Sequence, residues 1–475
     1  MITNIFYRPH VYSPGYNPIV WSFYSDKAAE VDFSYLIDVY VNAATGSTTP
    51  TYSLIQRPNQ VGVGLVDVSS IVQPFVELTD YSVEEGWNKF WRNSLEITPS
   101  VFIKVGEQYV GPSGGAPVQF NGYGTTGAAA YFIGSVEQST YPVSVMPAAL
   151  PWEVGVASMA NVDSGNYGFF SSYMMGGTGP NDLPLPGGKF LKRDSNNISV
   201  RLNDHHTLAF INWNYKFTTG TWGRPVQGIQ VVTTNNVGAQ VSTFYANTLG
   251  AGLGPQTSAS YTSATWTRET AMGTFRCGPK DLSLTSDIVS YTVTAYFKAT
   301  ATSSTTPQYV ASEQVTFTIN EDCQTLYPIV RLSWLNDLGG RDYYNFNMFY
   351  ELTSNSTSET YSQAPLNWNG TVPVVVDKVA GNNSMNWMRG GAKTFNKVVN
   401  RTFTIQSDWL TQEYVDFLGA IPESPSVWAY IGTEATPYTV TIDKADYTYK
   451  NVKQTKLVQA TFVCKMTKTQ PKQNY

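Results

Sequence analysis

The residues best able to perform acid–base or metal chemistry are Asp204, His205 and His206, which stand together at the start of a predicted strand. Imidazole titrates near neutral pH and ligates zinc, so an Asp-His-His run could move a proton or hold a metal ion. The only other histidine in the 475-residue chain is His10. The sequence therefore favours a turn with its own hydrogen bonds over a catalytic or metal site.

Two glycine-rich stretches resemble nucleotide-binding loops only in part. Residues 390–394 (GGAKT) place alanine where a phosphate loop needs glycine before lysine. Residues 250–255 (GAGLGP) miss the dinucleotide-binding spacing, and no apolar helical pattern follows them. We predict a hairpin turn at the first stretch, a loop at the second, and no bound cofactor.

Paired carboxylates could cleave a polysaccharide, because glycosidases hold two of them across the scissile bond. The available candidates are Asp163, Asp182, Glu321, Asp322, Asp337 and Asp342. Asp337 and Asp342 bracket a Gly-Gly pair, and side-chain to backbone hydrogen bonds that stabilise tight turns explain them more simply. We therefore predict that the chain is not an enzyme.

Composition points to extensive interfaces. Charged residues make up 14% of the chain and aromatic residues another 14%, including 31 tyrosines, whereas soluble domains carry roughly 25% charged residues. The net charge is −5, and no basic cluster is dense enough to neutralise a phosphate track, which argues against tight nucleic-acid binding. The sequence shows no export signal and no window of ~18 apolar residues, so we expect no membrane insertion.

Strand patterns dominate, and we predict an all-β, multi-domain β-sandwich (Ig-like) architecture with long Gly-rich loops and one or two short helices. Phe33, Tyr35, Ile37, Val39 and Val41 alternate on one face of the first clear strand. A helix is expected over 408–418, capped by Asp408, with Trp409 on its apolar face. The predicted segments are a β domain with a short helix (1–110), a Gly/Ser/Asn-rich aromatic insertion (111–203), a second β-sandwich (204–325), a C-terminal β domain (326–466) and a polar tail (467–475).

The insertion combines loop-forming residues with apolar ones. Its Gly, Ser, Asn and Pro content disfavours regular structure, yet it keeps a set of large apolar side chains: Phe120, Tyr131, Phe132, Tyr167, Phe169, Phe170, Tyr173 and Met174. One interpretation is loops that become ordered by packing on a neighbouring subunit. The alternative is a carbohydrate-binding loop, because exposed aromatic rings stack on sugars as readily as on proteins.

The most informative segment is residues 331–347 (RLSWLNDLGGRDYYNFN), which predicts a strand, a tight turn and a second strand. Val330, Leu332 and Trp334 alternate with polar residues at period two, and Gly339 and Gly340 can adopt the positive φ that a turn requires. The second strand continues with aromatic residues, namely Tyr343, Tyr344, Phe346 and Phe349. The element is architectural rather than chemical.

This element resembles the W-L-N-x-L-G-G-x-D-x-F-x-F motif of virion structural proteins from short-tailed phages of Bacteroidetes, the crAss-like group, and in particular their tail-barrel ring proteins; Tyr344 replaces the first Phe. Other similar segments follow in the family order: residues 13–18 (SPGYNP), 186–191 (PGGKFL), 277–279 (CGP) ahead of Cys323, and 424–428 (SPSVW) after the C-terminal helix. The resemblance singles out as structural or interface residues Trp334, Asn336, Gly339, Gly340, Asp342, Tyr344, Phe346, Trp409 and Pro425.

The resemblance implies a ring subunit of a tail barrel below the portal, present in about twelve copies joined by a head-to-tail contact that closes a cycle. Its partners would be further copies of itself, the portal, adjacent ring proteins and other tail or muzzle proteins. DNA would pass through only as cargo. It would reside in the virion tail after assembly in the host cytoplasm. A receptor- or glycan-binding tail protein is the alternative. A disulfide between Cys277 and Cys323 would staple two domains, but free core thiols suit a cytoplasmically assembled particle better.

Overall fold

The computed structural model is an all-β, multi-domain sandwich protein. The described residues include two short α-helices, α1 (Ser69–Val72) and α2 (Gln412–Gly419), and a 3-10 turn over Gln73–Phe75. Those residues are 2–7, 12–43, 47–76, 91–92, 99–110, 118–125, 129–132, 173–175, 177–178, 183–184, 188–212, 226, 228–246, 272–297, 309–320, 328–363, 367–368, 373–374, 377–379, 382–384, 391–432, 437–446, 458–467 and 470–471.

The strands of the first 323 residues are, in chain order, β1 (Ile2–Tyr7), β2 (Tyr12–Pro14), β3 (Val20–Ser25), β4 (Ser34–Val41), β5 (Tyr52–Gln56), β6 (Val63–Asp67), β7 (Trp91–Arg92), β8 (Ser100–Tyr109), β9 (Val118–Thr125), β10 (Ala129–Phe132), β11 (Met174–Met175), β12 (Gly177–Thr178), β13 (Leu183–Pro184), β14 (Asn197–Val200), β15 (Thr207–Asn212), β16 (Gly228–Asn235), β17 (Gln240–Ala246), β18 (Met272–Arg276), β19 (Ile288–Phe297), β20 (Tyr309–Val310) and β21 (Val315–Ile319).

The remaining strands are β22 (Val330–Leu335), β23 (Arg341–Phe346), β24 (Phe349–Gln363), β25 (Asn367–Trp368), β26 (Pro373–Val374), β27 (Asp377–Val379), β28 (Asn382–Ser384), β29 (Gly391–Gln406), β30 (Val427–Ile431), β31 (Tyr438–Asp446), β32 (Thr461–Met466) and β33 (Gln470–Pro471). The chain divides into two compact units: Met1–Cys323 with Ser333–Tyr343, and Gln324–Leu332 with Tyr344–Tyr475. Each unit is described on its own below.

The first unit contains two hydrophobic cores, each enclosed by two sheets. In the first sandwich, the sheet of order β1-β3-β6 faces the sheet of order β2-β10-β8-β4-β5, to which β9 adds by pairing with β8. Trp21 and Phe23 come from one sheet, and Tyr35, Ile37 and Val39 from the other. The predicted period-two face from Phe33 to Val41 is confirmed, because all five of its residues are buried.

The second sandwich packs the sheet β11-β15-β18-β7 against the sheet β14-β21-β19-β16-β17, with β20 added beside β19. Its core includes Phe190, Ile198 and Val200, which the sequence placed in the loop insertion 111–203. They join the sandwich because β14 pairs in parallel with β21, which buries Ile198 and Val200 on the same face as Phe317. Most of the insertion lies outside the described residues, including Tyr167, Phe169 and Phe170.

The second unit is built on one large sheet of order β23-β22-β30-β31-β32-β29-β24, in which β33 also pairs with β29. Residues 333–343, between the unit 2 portions of β22 and β23, belong to the first unit. The sequence assigned them to one C-terminal domain, 326–466. The difference arises because buried side chains of this stretch hydrogen-bond to residues near position 190, as described below.

The C-terminal helix begins later than the sequence predicts. It spans Gln412–Gly419 with Thr411 at its N-cap, so Asp408 does not cap it. Trp409 precedes the helix and is 60% exposed rather than part of an apolar face. The helix buries Val415 and Leu418, and Glu413 in its first turn complements the helix dipole. The predicted tail 467–475 is described only at Thr467 and in the short strand β33.

Candidate functional site

The predicted strand–turn–strand element is present as β22, a turn over residues 336–340, and β23. Two backbone bonds close the turn: Asn336 N donates to Gly340 O (2.9 Å) and Gly339 N donates to Asn336 O (3.1 Å). Gly339 adopts a φ of 90°, a conformation that favours glycine. Gly340 does not, so the prediction of a positive φ is right for one glycine of the pair.

The side chain of Asn336 organises the turn, and this residue is 3% exposed. Its Oδ1 accepts hydrogen bonds from the backbone N–H groups of Leu338 (3.1 Å) and Gly340 (3.0 Å). Its Nδ2 donates to the carbonyl oxygen of Leu191 (3.1 Å) and to Asp342 Oδ2 (3.0 Å). These four bonds use both the acceptor and the donor capacity of the amide, which a carboxylate or a hydroxyl group cannot reproduce.

Gly340 is required for a different reason, the close approach of another backbone segment. A Cβ atom at this position would lie 1.8 Å from the Leu191 carbonyl oxygen and 2.9 Å from its carbonyl carbon. Both of these are backbone atoms, so a larger residue would displace the chain itself. The second glycine of the pair therefore allows residues 188–197 to lie against the turn.

Arg193 joins the two segments through its backbone and its side chain. Its N–H donates to both oxygens of Asp342 (3.2 and 3.3 Å), and its guanidinium binds Asp337 through two hydrogen bonds, one of them Nε to Oδ1 at 2.7 Å. The pair with Asp337 is about 40% exposed on both sides and contributes little to stability. Asp337 thus binds a distant segment, and Asp342 binds both that segment and the Asn336 side chain of its own turn, which corrects the sequence interpretation.

Asp342 is the most strongly perturbed group of this cluster. It is 2% exposed, and desolvation raises its pKa to about 7, against the smaller opposing effect of the hydrogen bonds from Asn336 and Arg193. A carboxyl group in such surroundings often marks catalysis. Here both oxygens already accept hydrogen bonds from the protein, so the perturbation has a structural cause.

The partner segment, residues 188–197, is anchored on its own side as well. Glu313 accepts hydrogen bonds from Phe190 N (3.2 Å) and from Asn196 Nδ2 (2.9 Å). Lys192 Nζ donates to the Asp194 and Ser195 carbonyls and to Asn196 Oδ1 at 2.7–2.8 Å, and burial lowers its pKa. We call this segment together with residues 336–342 the clasp.

The Asp-His-His run forms a second polar cluster in the first unit. Asp281, whose side chain is 2% exposed, contacts His205 Nδ1 at 2.7 Å and Arg276 at 3.0 Å, and accepts a hydrogen bond from His206 N at 3.1 Å. Asp204 accepts one from Arg201 N at 2.9 Å. The predicted turn with its own hydrogen bonds is present. Its principal partner, Asp281, lies 75 residues further along the chain than His206.

The cluster is built into the core rather than into a cleft. The His206 ring lies 4.4 Å from the Tyr343 ring and 5.0 Å from that of Phe317, and Tyr343 bonds Thr207 through its hydroxyl at 2.8 Å. No group of three or more His, Cys, Asp or Glu side chains that could hold a metal occurs in the part of the chain that the structure describes. Its chemistry is that of a fixed turn.

The other loop and thiol predictions have mixed outcomes. Residues 391–394 lie in strand β29, so the hairpin turn predicted there is wrong for those four positions. Cys277 and Cys464 are buried thiols that form no disulfide, whereas Cys323, residues 250–255 and four of the candidate carboxylates lie outside the described residues. Those four are Asp163, Asp182, Glu321 and Asp322.

Of the remaining predicted site residues, Trp334 belongs to the first unit and the other four belong to the second. Trp334 is fully buried in β22. In the second unit, Phe346 packs edge-on against Tyr344 and Phe462, and burial, with the nearby negative charge of Asp408, raises the pKa of Tyr344 far above its ordinary value. Trp409 and Pro425 are exposed.

The second unit carries an exposed two-stranded extension that the sequence did not reveal. β24 and β29 pair in antiparallel register from Phe349↔Gln406 to Gln363↔Gly391. Among the described residues, β32 pairs with β29 over Thr402–Gln406, and β33 pairs with it at Val398 and Val399. All residues from 351 to 362 are exposed. We call Ser354–Gln363 with Gly391–Arg401 the outer ribbon.

No protein-family model and no curated protein sequence matches the chain. Among the described residues, no helix has the length and apolar character needed to cross a membrane.

Sequence reasoning missed both the clasp and the outer ribbon. For the clasp, the available signal was that two of the resembling motifs, residues 186–191 and 331–347, each contain a Gly-Gly pair beside apolar residues. Paired glycines often mark a close approach of backbone segments. The Ser/Thr-rich sequence of the outer ribbon gives no period-two apolar pattern. The length of chain between Phe349 and Gln406 was the remaining indication of an extension.

Proposed function

We propose that the chain is a structural protein of a phage virion, a ring subunit of a tail barrel that forms part of the conduit for genome and cargo ejection. The observation that carries the proposal is the outer ribbon, whose strand β24 is exposed on both faces from residue 351 to residue 362. A two-stranded hairpin is marginally stable in water by itself. A chain that builds such an extension is suited to assembly, where neighbours cover it.

The clasp supports an architectural role. Motifs that resemble those of the ring proteins, near residues 190 and 340, lie in direct contact, and their polar groups bind one another. Side chains engaged in this way hold the backbone and are not open to a substrate. The residues that carry the resemblance thus act as joints of a scaffold, and no enzymatic activity is proposed for them.

The charge of the chain suits a conduit. With 30 basic and 35 acidic residues, the subunit offers little attraction for a phosphate backbone, because tight binding requires several lysine or arginine contacts to phosphates. DNA would pass as cargo without being held. The proposed partners are further copies of this chain, about twelve in a cyclic arrangement, together with the portal, adjacent ring proteins and other tail or muzzle proteins of a virion assembled in the host cytoplasm.

A receptor- or glycan-binding tail protein is the second candidate, and one observation favours it. Trp409 is 60% exposed, far more than a tryptophan normally is in a folded domain. Exposed indole rings stack on sugar rings as well as on protein partners. An adhesin of this kind would lose cell attachment when Trp409 is replaced by Ala, while its particles would remain intact.

The test is negative-stain imaging with native mass measurement of the purified chain, alone and after mixing with tail complexes from lysate. We expect closed rings, or incorporation into the tail barrel. A persistent monomer that ignores tail complexes would contradict the proposal. Trp409→Ala is the matched variant: unchanged rings together with lost binding on a glycan array would favour the adhesin.

A further inference from the structure

One end of the stretch Ser333–Tyr343 belongs to the core of the first sandwich. This stretch comprises the turn and the adjoining ends of β22 and β23, it groups with the first unit, and we call it the hairpin tip. Leu335, the last residue of β22, is 7% exposed and lies in the same buried cluster as Trp21 and Tyr35. The first sandwich is therefore completed by a side chain that lies some 300 residues further along the chain.

The other end of the hairpin tip contacts the second sandwich. Tyr343 is 5% exposed, shares a hydrogen bond with the Thr207 hydroxyl at 2.8 Å, and places its ring 4.4 Å from the His206 ring. Thr207 is the first residue of β15, and the His206 ring lies 5.0 Å from that of Phe317 in β21. Because β15 and β21 belong to the two facing sheets of the second sandwich, Tyr343 is packed where both sheets meet.

The clasp attaches the hairpin tip to the second sandwich a second time. Asn336 Nδ2 donates to the Leu191 carbonyl at 3.1 Å, and Leu191 N in turn donates to the Ala209 carbonyl of β15 at 2.8 Å. The neighbouring Phe190 is fully buried in the core of that sandwich. The segment to which the tip is bonded is thus itself fixed in the second core.

Strand β7 is a further link between the two sandwiches. It pairs with β18 in the second sandwich, although β6 and β8, which flank it in the sequence, belong to the first. This link consists of two register pairs, Thr274↔Arg92 and Phe275↔Trp91. The hairpin tip places buried side chains against both sandwiches, so we expect it to contribute the larger share of the coupling between them.

We infer that the hairpin tip is a coupling device, which makes the two sandwiches of the first unit unfold as one cooperative body. If the first sandwich opens, Leu335 loses its buried surroundings; if the second opens, Asn336 and Tyr343 lose their bonded partners. Each loss is costly, because buried apolar and polar groups are destabilising once their contacts are removed. The coupling is a property of the single chain, so it goes beyond the proposed function and does not depend on it.

The first test asks whether damage in one sandwich is felt in the other. Val293, in β19, is fully buried in the second core, and Val293→Ala in the full-length chain should speed exchange of the slowest amides of β16 and β19 by about tenfold. Amides that exchange only through a shared unfolding event are accelerated equally. We therefore expect the slowest amides of β3 and β4, in the first sandwich, to speed up by the same factor. Unchanged exchange in β3 and β4 would overturn the inference.

The second test asks whether the hairpin tip carries the coupling. Val293→Ala is repeated in Leu335→Ala, which weakens the contact with the first core, and in Asn336→Ala, which weakens the contact with the second. In both backgrounds the acceleration passed on to β3 and β4 should fall below about threefold. Leu352→Ala and Asn355→Ala, at exposed positions of the second unit, are the matched controls and should leave it complete. Complete transfer in both tip variants would overturn the inference, because the coupling would then run through another link such as β7.

A milder variant keeps the tip under test if Leu335→Ala or Asn336→Ala does not fold. Tyr343→Phe removes the hydroxyl that bonds Thr207 and keeps the buried ring. With this variant as the background, Val293→Ala should accelerate the amides of β3 and β4 less than it does with the native tip. An equal or larger acceleration would overturn the role of the tip.

The reciprocal measurement uses the native tip throughout. Ile37, in β4, is fully buried in the first core, and Ile37→Val should speed exchange in β3 and β4 by about threefold or more. Because coupling free energies are reciprocal, the slowest amides of β16 and β19 should accelerate by the same factor. Acceleration confined to the first sandwich would show that the two sandwiches unfold independently and would overturn the inference.

Discussion

The clasp holds a turn against a second segment of the chain, the outer ribbon is a pair of strands, and the two regions satisfy their polar groups in opposite ways. In the clasp, Asn336 and Asp342 are almost fully buried, and their polar atoms bond within the chain. In the outer ribbon, β24 is exposed from residue 354 to residue 362, and its outer edge pairs with no described strand. The polar groups of the clasp are satisfied within one subunit, and we propose that those of the outer ribbon are satisfied only in an assembly.

This difference shows where each kind of substitution should act. Buried polar groups are costly to leave unbonded, so changes in the clasp should reduce the stability of the first unit. Exposed side chains contribute little to folding, so changes in the outer ribbon should leave stability intact and affect association instead. Matched substitutions of the same residue type in the two units test this contrast.

The largest effect is expected for Trp334→Ala. Removal of a fully buried indole costs roughly 3–5 kcal/mol through lost burial and the cavity that remains. Denaturant unfolding monitored for the first unit is the measurement. Trp409→Ala, at a 60% exposed position of the second unit, is the control and should change stability by less than about 0.5 kcal/mol. Equal losses from the two variants would contradict the burial assignment.

Asn336→Ala should produce the next largest loss. The substitution leaves the N–H groups of Leu338 and Gly340 and the Leu191 carbonyl without the Asn336 side chain as partner, and each unsatisfied buried group costs about 1–3 kcal/mol. We expect a total loss of about 3 kcal/mol, reduced where water enters. Asn355→Ala, on the exposed ribbon, is the control and should be neutral; a neutral Asn336→Ala would show that the turn holds without its amide.

The pH dependence of the clasp should follow Asp342. Burial raises its pKa to about 7 from an ordinary value of 3.8, so between these pH values the folded state binds a proton that the unfolded state has lost. The contribution of this group to stability is therefore fully present below about pH 4 and is lost as the pH rises through about 7.

The difference in unfolding free energy between wild type and Asp342→Asn isolates this group from other titrations. We expect wild type to lose stability relative to the variant by up to about 1.4 kcal/mol per pH unit between about pH 5 and 7, and then to level off. The amide oxygen that this substitution introduces can still accept hydrogen bonds at the position of Oδ2. If the unfolding free energy of wild type minus that of the variant stays constant, or rises with pH, the pKa of Asp342 is not raised.

The smallest contrast compares two serines. Ser333 is fully buried and accepts a hydrogen bond from Arg341 Nε at 2.9 Å, so Ser333→Ala should cost about 1–2 kcal/mol. Ser356 is exposed on the ribbon, and Ser356→Ala should be within about 0.5 kcal/mol of wild type. Thermal midpoints suffice for this comparison. A larger loss at Ser356 would mean that the ribbon is covered within the single chain.

The sequence predicts those parts of the fold that have a local signal. Alternation from Phe33 to Val41 specifies a half-buried strand, and the NDLGG sequence specifies a tight turn, because Gly339 can adopt a positive φ at low cost. Both are present. Local propensity also suggested a helix near 408–418, but its start shifted to Gln412, since Thr411 rather than Asp408 occupies the N-cap.

The parts that the sequence does not predict depend on distant partners. Nothing local to Asn336 or Asp342 indicates that their partners are Leu191 and Arg193, nearly 150 residues away. The outer ribbon escapes prediction for the opposite reason, because strands without a buried face carry no apolar period. Of the nine residues chosen from the resemblance, four meet in the clasp: Asn336, Gly339, Gly340 and Asp342.

The most direct test of the account is amide hydrogen exchange in the free chain and in assembled rings or tails. We predict that the clasp exchanges slowly in both states, whereas residues 354–363 and 391–397 exchange rapidly in the free chain and become protected upon assembly. An outer ribbon that exchanges at the same rate in both states would contradict the claim that neighbouring copies complete it. Rapid exchange of the clasp in the free chain would contradict the claim that the clasp is complete within one subunit.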